Sequence, residues 1–251
     1  MLTAEVFWAF FCGFIRTGAM MLASPIFAGV VPVQVRVWLS GVVALAIVPL
    51  IQPYVGVPPG EPIVMVLSVF REAGMGFLIG FAMQALFQAF QMAGSILDIQ
   101  LGLSGAQVFD PVAGAPVTVM AQIKFWCAIV ILFSLNGHHL IFPALVQSYQ
   151  MPPIEMANLG AMSGTFVKFL GQLAVLAVQI AAPVAAVAFI VDAAAGLVNK
   201  SVPQFQVFAV ITPAKVGLGL VAAMAALPIL TTSVTAGVNL TFTTLETLFS
   251  K

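Results

Sequence analysis

The chain has 251 residues, 62% of them apolar and 6% charged, with eight basic and eight acidic side chains and a formal net charge of zero. An ordinary soluble domain carries about 25% charged residues, so this composition fits a membrane-embedded or wholly protein-buried chain. It offers no basic patch for nucleic acid, no acidic tail and no long polar linker, and a single domain over residues 1–251 is expected.

The N-terminus, Met1 to Glu5, is acidic where a cleavable signal is basic, so the first apolar segment is expected to be retained. About six helical segments are predicted, running over Val6–Ala23, Val37–Ile51, Ile63–Phe90, Ile123–Val146, Phe166–Val191 and Val207–Leu230. A bilayer crossing takes about 20 apolar residues, which leaves the second segment marginal and makes the others long enough. Gly74, Gly76 and Gly80 suggest a close-packing face on the third segment. Ala181, Ala185 and Ala188 suggest one on the fifth, and Gly217, Gly219 and Ala223 one on the sixth. Pro183 is expected to kink the fifth segment or to mark a short break. The threonine-rich tail after Leu230 reads as helix continuing out of the apolar zone.

Charge placement is unusual. Basic residues do not favour alternate loops, so the positive-inside pattern yields no topology. Either partner proteins set the orientation, or the helices do not alternate across a bilayer. Arg16, Arg71, Glu72, Lys124, Lys168, Asp192 and Lys215 lie in or beside apolar runs. Each would cost about 2.5–3.5 kcal/mol at a lipid-facing helix centre, which predicts pairing, water-lined surroundings or a buried protein interface.

Between the third and fourth segments, Asp98 to Pro116 breaks the pattern. Gly102, Gly105, Gly114 and the upstream Gly94, with Pro111 and Pro116, oppose a regular helix. Yet the stretch keeps Leu101, Leu103, Val108, Phe109 and Val112. Irregular backbone with apolar side chains suits a segment that lines or blocks a cavity inside protein. Val108, Phe109 and Val112 would form a constriction that resists wetting, with Gly105 and Gly114 as hinges. Asp110 before Pro111 would close a turn. The competing reading is a packed connector.

The remaining chemistry is sparse. His138 and His139 point to different helix faces with no acidic or thiol cluster beside them, so a turn role outweighs metal binding. Cys12 and Cys127 read as inert buried thiols. Glu72, Asp98 and Asp192 could relay protons, but pairing with Arg71, Lys124 or Lys215 is the stronger expectation. No nucleophile–base pair, phosphate loop or metal spacing occurs, so neither an enzyme nor a cofactor is expected.

Taken in order, Arg16, Pro25-Ile-Phe27, Arg36, Arg71-Glu72-Ala-Gly74-Met-Gly76, Asp98-Ile-Gln100-Leu-Gly102, Asp110-Pro111, Asn136-Gly137-His138, Pro203-Gln204 and Thr212-Pro213-Ala-Lys215 resemble the FliR family of flagellar export-gate proteins. The resemblance extends to the family's counterpart in virulence type III secretion systems. Phe205-Gln206 departs from the family's usual aliphatic residue and Asn.

The resemblance implies an all-α gate subunit that joins several copies of FliP and FliQ in a narrow pore for unfolded flagellar proteins. FlhB and FlhA are implied as further partners, and the bacterial inner membrane, at the flagellar basal body, as the location. It further implies a FliP-like part over 1–200 and a FliQ-like hairpin over 201–251 with the end of segment five. The loop over Gly102–Pro116 would be the pore plug. The rivals are the injectisome subunit and a small-solute secondary transporter. A transporter would carry matched broken helices in two halves, and the central break has no counterpart here.

Overall fold

Apolar runs become helices throughout residues 4–28, 31–103, 118–150, 159–201 and 207–249, the residues described in the computed structural model. A helix satisfies its own backbone groups, which apolar surroundings cannot do. The elements are α1 (Ala4–Ala23), a short α2 (Pro25–Ala28), α3 (Val33–Val55), α4 (Pro62–Gln100), α5 (Val119–Ser134), a 3-10 turn (Gly137–Leu140), α6 (Ile141–Gln150), α7 (Leu159–Ser201), α8 (Val207–Ala225) and α9 (Leu227–Phe249). The expected all-α class holds, with no strand among the described residues.

Four helices are long and apolar enough to cross a membrane: α1, α3, α4 and the 163–201 part of α7. The bent pair 211–225 and 227–248 would make a fifth span. The second segment is therefore not marginal, since α3 gains turns at both ends and reaches 23 residues. The fourth segment is not one helix. Asn136 takes a left-handed φ of 55°, a conformation that asparagine tolerates better than most residues, and this ends α5 after 16 residues. His139 then donates its backbone N–H to the Asn136 carbonyl at 2.9 Å, so the histidine pair sits in the turn expected of it. Pro183 makes no break, because α7 runs through it for 43 residues.

The chain packs as two compact units. The first comprises residues 1–86, 135–169 and 239–251. Here α1 lies antiparallel to α3, with Gly13 against Ala44 and Ile51 and Gly18 near Ser40. It lies parallel to α4, with Gly76 beside Arg16 and Ala19, and Gly80 beside Met20 and Ala23. A Cβ on Gly76 would strike the Arg16 carbonyl, and one on Gly80 the Met20 carbonyl. Gly74 has nothing near it, so the close-packing face is the i, i+4 pair Gly76/Gly80 and not all three glycines.

The second unit comprises residues 87–134 and 170–238. Phe87 packs edge-on against Phe125 with ring centroids 5.9 Å apart, and Phe90 stays beside Phe87 at 6.3 Å. Along α7 the buried stripe Leu173, Ala177, Ile180, Val184, Ala188 follows helical spacing. At Ala226 the chain turns by 56° between α8 and α9. Pro228, which lacks an N–H, falls in the first turn of α9, where none is needed.

The threonine-rich tail is helix, as expected. Its hydroxyls donate back to carbonyls three or four residues earlier: Thr231 to Pro228 at 2.7 Å, Thr235 to Thr231 at 3.0 Å and Thr244 to Leu240 at 2.7 Å. These bonds satisfy the polar groups without leaving the helix.

Much apolar surface stays uncovered. Trp38 on α3 is 78% exposed, and Ile63 and Phe70 on α4 are 70% and 72% exposed. Phe189 and Leu197 on α7 are similarly open. A soluble monomer rarely shows contiguous apolar patches of this size, so lipid or protein must cover these helices.

Candidate functional site

Two constellations take up the residues singled out by the sequence, one in each unit. In the first unit, Arg16 projects from α1 in a position only 3% exposed. Its Nε donates to Glu72 Oε2 on α4 at 2.8 Å, and one terminal nitrogen donates to Ser148 Oγ on α6 at 2.7 Å. Ser148 in turn donates to the Leu145 carbonyl at 2.6 Å. The guanidinium carbon sits 3.4 Å from the centre of the Tyr149 ring. Burial pushes the Tyr149 hydroxyl above the usual phenol range, which keeps the ring neutral beneath the cation. Arg71, next in sequence to Glu72, reaches the other carboxylate oxygen at 3.5 Å from a half-exposed side chain.

This arrangement partly matches the expected pairing. Glu72 does meet Arg71, but its shorter contact is with Arg16, which sequence reasoning had left without a partner. Ser148 and Tyr149 were missed as contacts of Arg16. The available signal was weak: a serine and a tyrosine side by side in an apolar helix, which need polar partners once buried.

In the second unit, Asp98 departs from expectation. It lies in the last helical turns of α4, not in a loop, because α4 continues through Gly94 to Gln100. Gly94 does not break the helix; Ala121 of α5 rests where its Cβ would be. Asp98 pairs with no lysine or arginine among the described residues. Instead Oδ1 accepts the Met120 N–H at 2.9 Å and Oδ2 accepts the Ala121 N–H at 3.2 Å. Met120 and Ala121 open α5, where N–H groups have no acceptor within their own helix, and a carboxylate there also meets the positive end of the helix dipole. Asp98 caps α5 from a neighbouring helix.

Beyond Asp98, Leu101 is fully buried and Gly102 turns the chain with a φ of 74°, a left-handed conformation that suits glycine. Gly102 thus acts as the stop of α4. Gly105, Val108, Phe109, Asp110, Pro111, Val112 and Gly114 lie outside the described residues. The two ends flanking residues 104–117 are described, and Asp98 joins them.

Lys215 on α8 donates to Asp192 Oδ2 on α7 at 2.7 Å, which realises one expected pair. Asp192 is about half exposed and Lys215 largely buried. Lys124 on α5 is 3% exposed and takes part in no ion pair among the described residues. Burial pushes its ammonium below the usual lysine range. Among the described residues no group of three or more His, Cys, Asp or Glu side chains is placed to hold a metal.

Comparison with known proteins matches residues 7–240 to the family described as bacterial export proteins, family 1. A "Flagellar biosynthetic protein FliR" of Bacillus subtilis (strain 168) is 30% identical over 253 residues, covering 98% of this chain and 96% of the relative. One of Caulobacter vibrioides is 31% identical over 82% of this chain and 83% of the relative. A "Surface presentation of antigens protein SpaR" of Shigella flexneri is 29% identical over 57% of this chain and 55% of the relative.

Proposed function

The chain belongs to the bacterial export proteins of family 1, the FliR family, and on that premise we propose that it is a structural and gating subunit of the flagellar type III export gate. In this reading it joins FliP and FliQ in the inner membrane, at the flagellar basal body, and contacts FlhB and FlhA. Unfolded flagellar proteins pass through the resulting pore. The subunit performs no covalent chemistry. Residues 1–200 supply a FliP-like part and 201–251, with the end of segment five, a FliQ-like hairpin.

The observation that carries the gating role is the junction at Asp98. A buried carboxylate ties the end of α4 to the start of α5, the described ends that flank residues 104–117. That segment holds Val108, Phe109 and Val112 between Gly105 and Gly114. An apolar stretch between glycine hinges, joined to two ends that are tied together, suits a plug that must stop ions and still yield to a polypeptide. The assembly role draws on the uncovered apolar faces of α3, α4 and α7.

Deleting residues 106–114 is expected to make the assembled complex leak ions in a planar-bilayer conductance measurement. Wild-type conductance from that deletion would remove the plug. Expressed alone, the chain is expected to aggregate or be degraded, and co-expression with FliP and FliQ to restore it. A monodisperse monomer, stable without partners, would favour an autonomous transporter. The match to SpaR favours the injectisome subunit as second reading, although it covers 57% of the chain against 98% for the Bacillus relative.

A further inference from the structure

The uncovered faces of α3, α4 and α7 are not equivalent. On α3 every exposed side chain between Trp38 and Tyr54 is apolar, and Val42, Leu45 and Leu50 among them are more than half exposed. Ser40, the one hydroxyl in that stretch, is buried and donates to the Val37 carbonyl at 2.8 Å. No charged residue occurs between Arg36 and Glu61. Charge interrupts the other two faces: the half-exposed Arg71 on α4, and the exposed Lys168, Asp192 and Lys200 on α7.

The ends of the α3 face carry amphipathic aromatics. The chain has three tryptophans and two tyrosines. Trp8 and Tyr149 are buried, and Trp126 lies on the short α5. The remaining two, Trp38 and Tyr54, are more than half exposed near opposite ends of α3. Tryptophan and tyrosine concentrate at the two headgroup levels of a bilayer, where the ring rests on hydrocarbon and the N–H or O–H reaches water. Trp38 and Tyr54 lie sixteen positions apart, about 24 Å along a helix axis. The hydrocarbon core of a bilayer is about 30 Å thick, and a shortfall of a few Å is absorbed by local thinning and by side chains that reach outward.

Arg36, two residues beyond Trp38, makes no ion pair among the described residues. A lipid phosphate is the anion which that level of a bilayer supplies, and guanidinium groups bind phosphate strongly. A partner helix could cover the apolar side chains equally well. It would give no reason for an interfacial aromatic at each end and an unpaired guanidinium outside one of them.

We propose that this side of α3 is a lipid-facing surface of the assembled protein: acyl chains cover Val42, Leu45 and Leu50, and Trp38 and Tyr54 lie at the two headgroup levels. This rests on the membrane placement proposed above, and it narrows the faces left for partner subunits to those of α4 and α7.

The test places a nitroxide spin label on Val42→Cys, Leu45→Cys or Leu50→Cys, one at a time, in a Cys127→Ser background, since Cys12 is buried. The complex is purified through a tag on this chain and reconstituted in vesicles of phosphatidylcholine and phosphatidylglycerol. Collisions with oxygen, which enters lipid, are compared with collisions with a water-soluble nickel chelate. Oxygen is expected to dominate at all three sites, most strongly at Leu45, which is nearest the middle. Few collisions with either reagent would mean that protein covers the face, which overturns the proposal and leaves the membrane placement standing. Dominance of the nickel chelate would mean a wet face, and both would fall. Loss of the assembled complex in all three labelled variants would also overturn it, because lipid tolerates a label that a close protein contact does not.

Discussion

Glu72→Ala, with Arg16 left in place, is expected to cost about 3–5 kcal/mol of stability, because it strands a buried guanidinium. Arg16 is 3% exposed and its Nε lies 2.8 Å from the Glu72 carboxylate. Ser148 and the Tyr149 ring also contact the guanidinium but carry no compensating negative charge. In thermal unfolding of the detergent-solubilised complex, this should appear as a drop of roughly 10 °C or more. Arg16→Met combined with Glu72→Leu removes both charges and fills the space, and should recover most of the loss. A single Glu72→Ala variant that melts within a degree or two of wild type would mean the pair is not buried in the assembled protein.

Gly80→Val is expected to be comparably damaging, at about 3 kcal/mol or more, the upper end of the overpacking range. The atom it strikes is the Met20 carbonyl oxygen, with the Ala23 methyl close behind. Backbone cannot rotate aside as a side chain can, so α1 and α4 must separate. Gly74→Ala is the matched control: nothing lies within 4 Å of its Cβ position, and removing a helix-interior glycine should stabilise by up to about 1 kcal/mol. Protease resistance of the purified complex separates the two outcomes. Equal sensitivity for both variants would refute the close parallel packing of α1 on α4.

The contrast between Gly74, Gly76 and Gly80 shows where sequence reading succeeds and where it stops. The apolar runs revealed α1, α3, α4 and α7, because a stretch of that length and hydropathy has few alternatives to helix. They did not reveal which glycine faces a neighbour, since that depends on rotation about the helix axis. Gly94 misled for the same reason: glycine signals a break or a close approach, and only the position of Ala121 distinguishes them. Asn136 ended α5 inside a run that composition alone continued.

The charged residues divide similarly. Arg16, Glu72, Asp98 and Lys124 are buried, as their placement in apolar segments suggested, whereas Arg71, Lys168 and Asp192 are exposed, and Asp192 with Lys215 formed an expected pair. Arg16 and Asp98 found partners that no local pattern could identify. One is a carboxylate 56 residues away, and the other is a pair of backbone N–H groups, which leave no mark in a sequence. Residues 104–117, where the proposed seal resides, owe their reading to side-chain types and to the family.

The spacing of the Arg16 contacts also orders events during synthesis. Arg16 leaves the ribosome 56 residues ahead of Glu72 and 132 ahead of Ser148. At roughly 5–20 residues per second, its cation waits several seconds for its anion and longer for its second partner. Until α4 is made, Arg16 lacks the carboxylate that it meets in the complete chain. A nascent chain truncated before α4 would never neutralise it, and one truncated before α6 would leave it half satisfied. The buried arginine therefore gains its full set of contacts only once the chain is made through Tyr149.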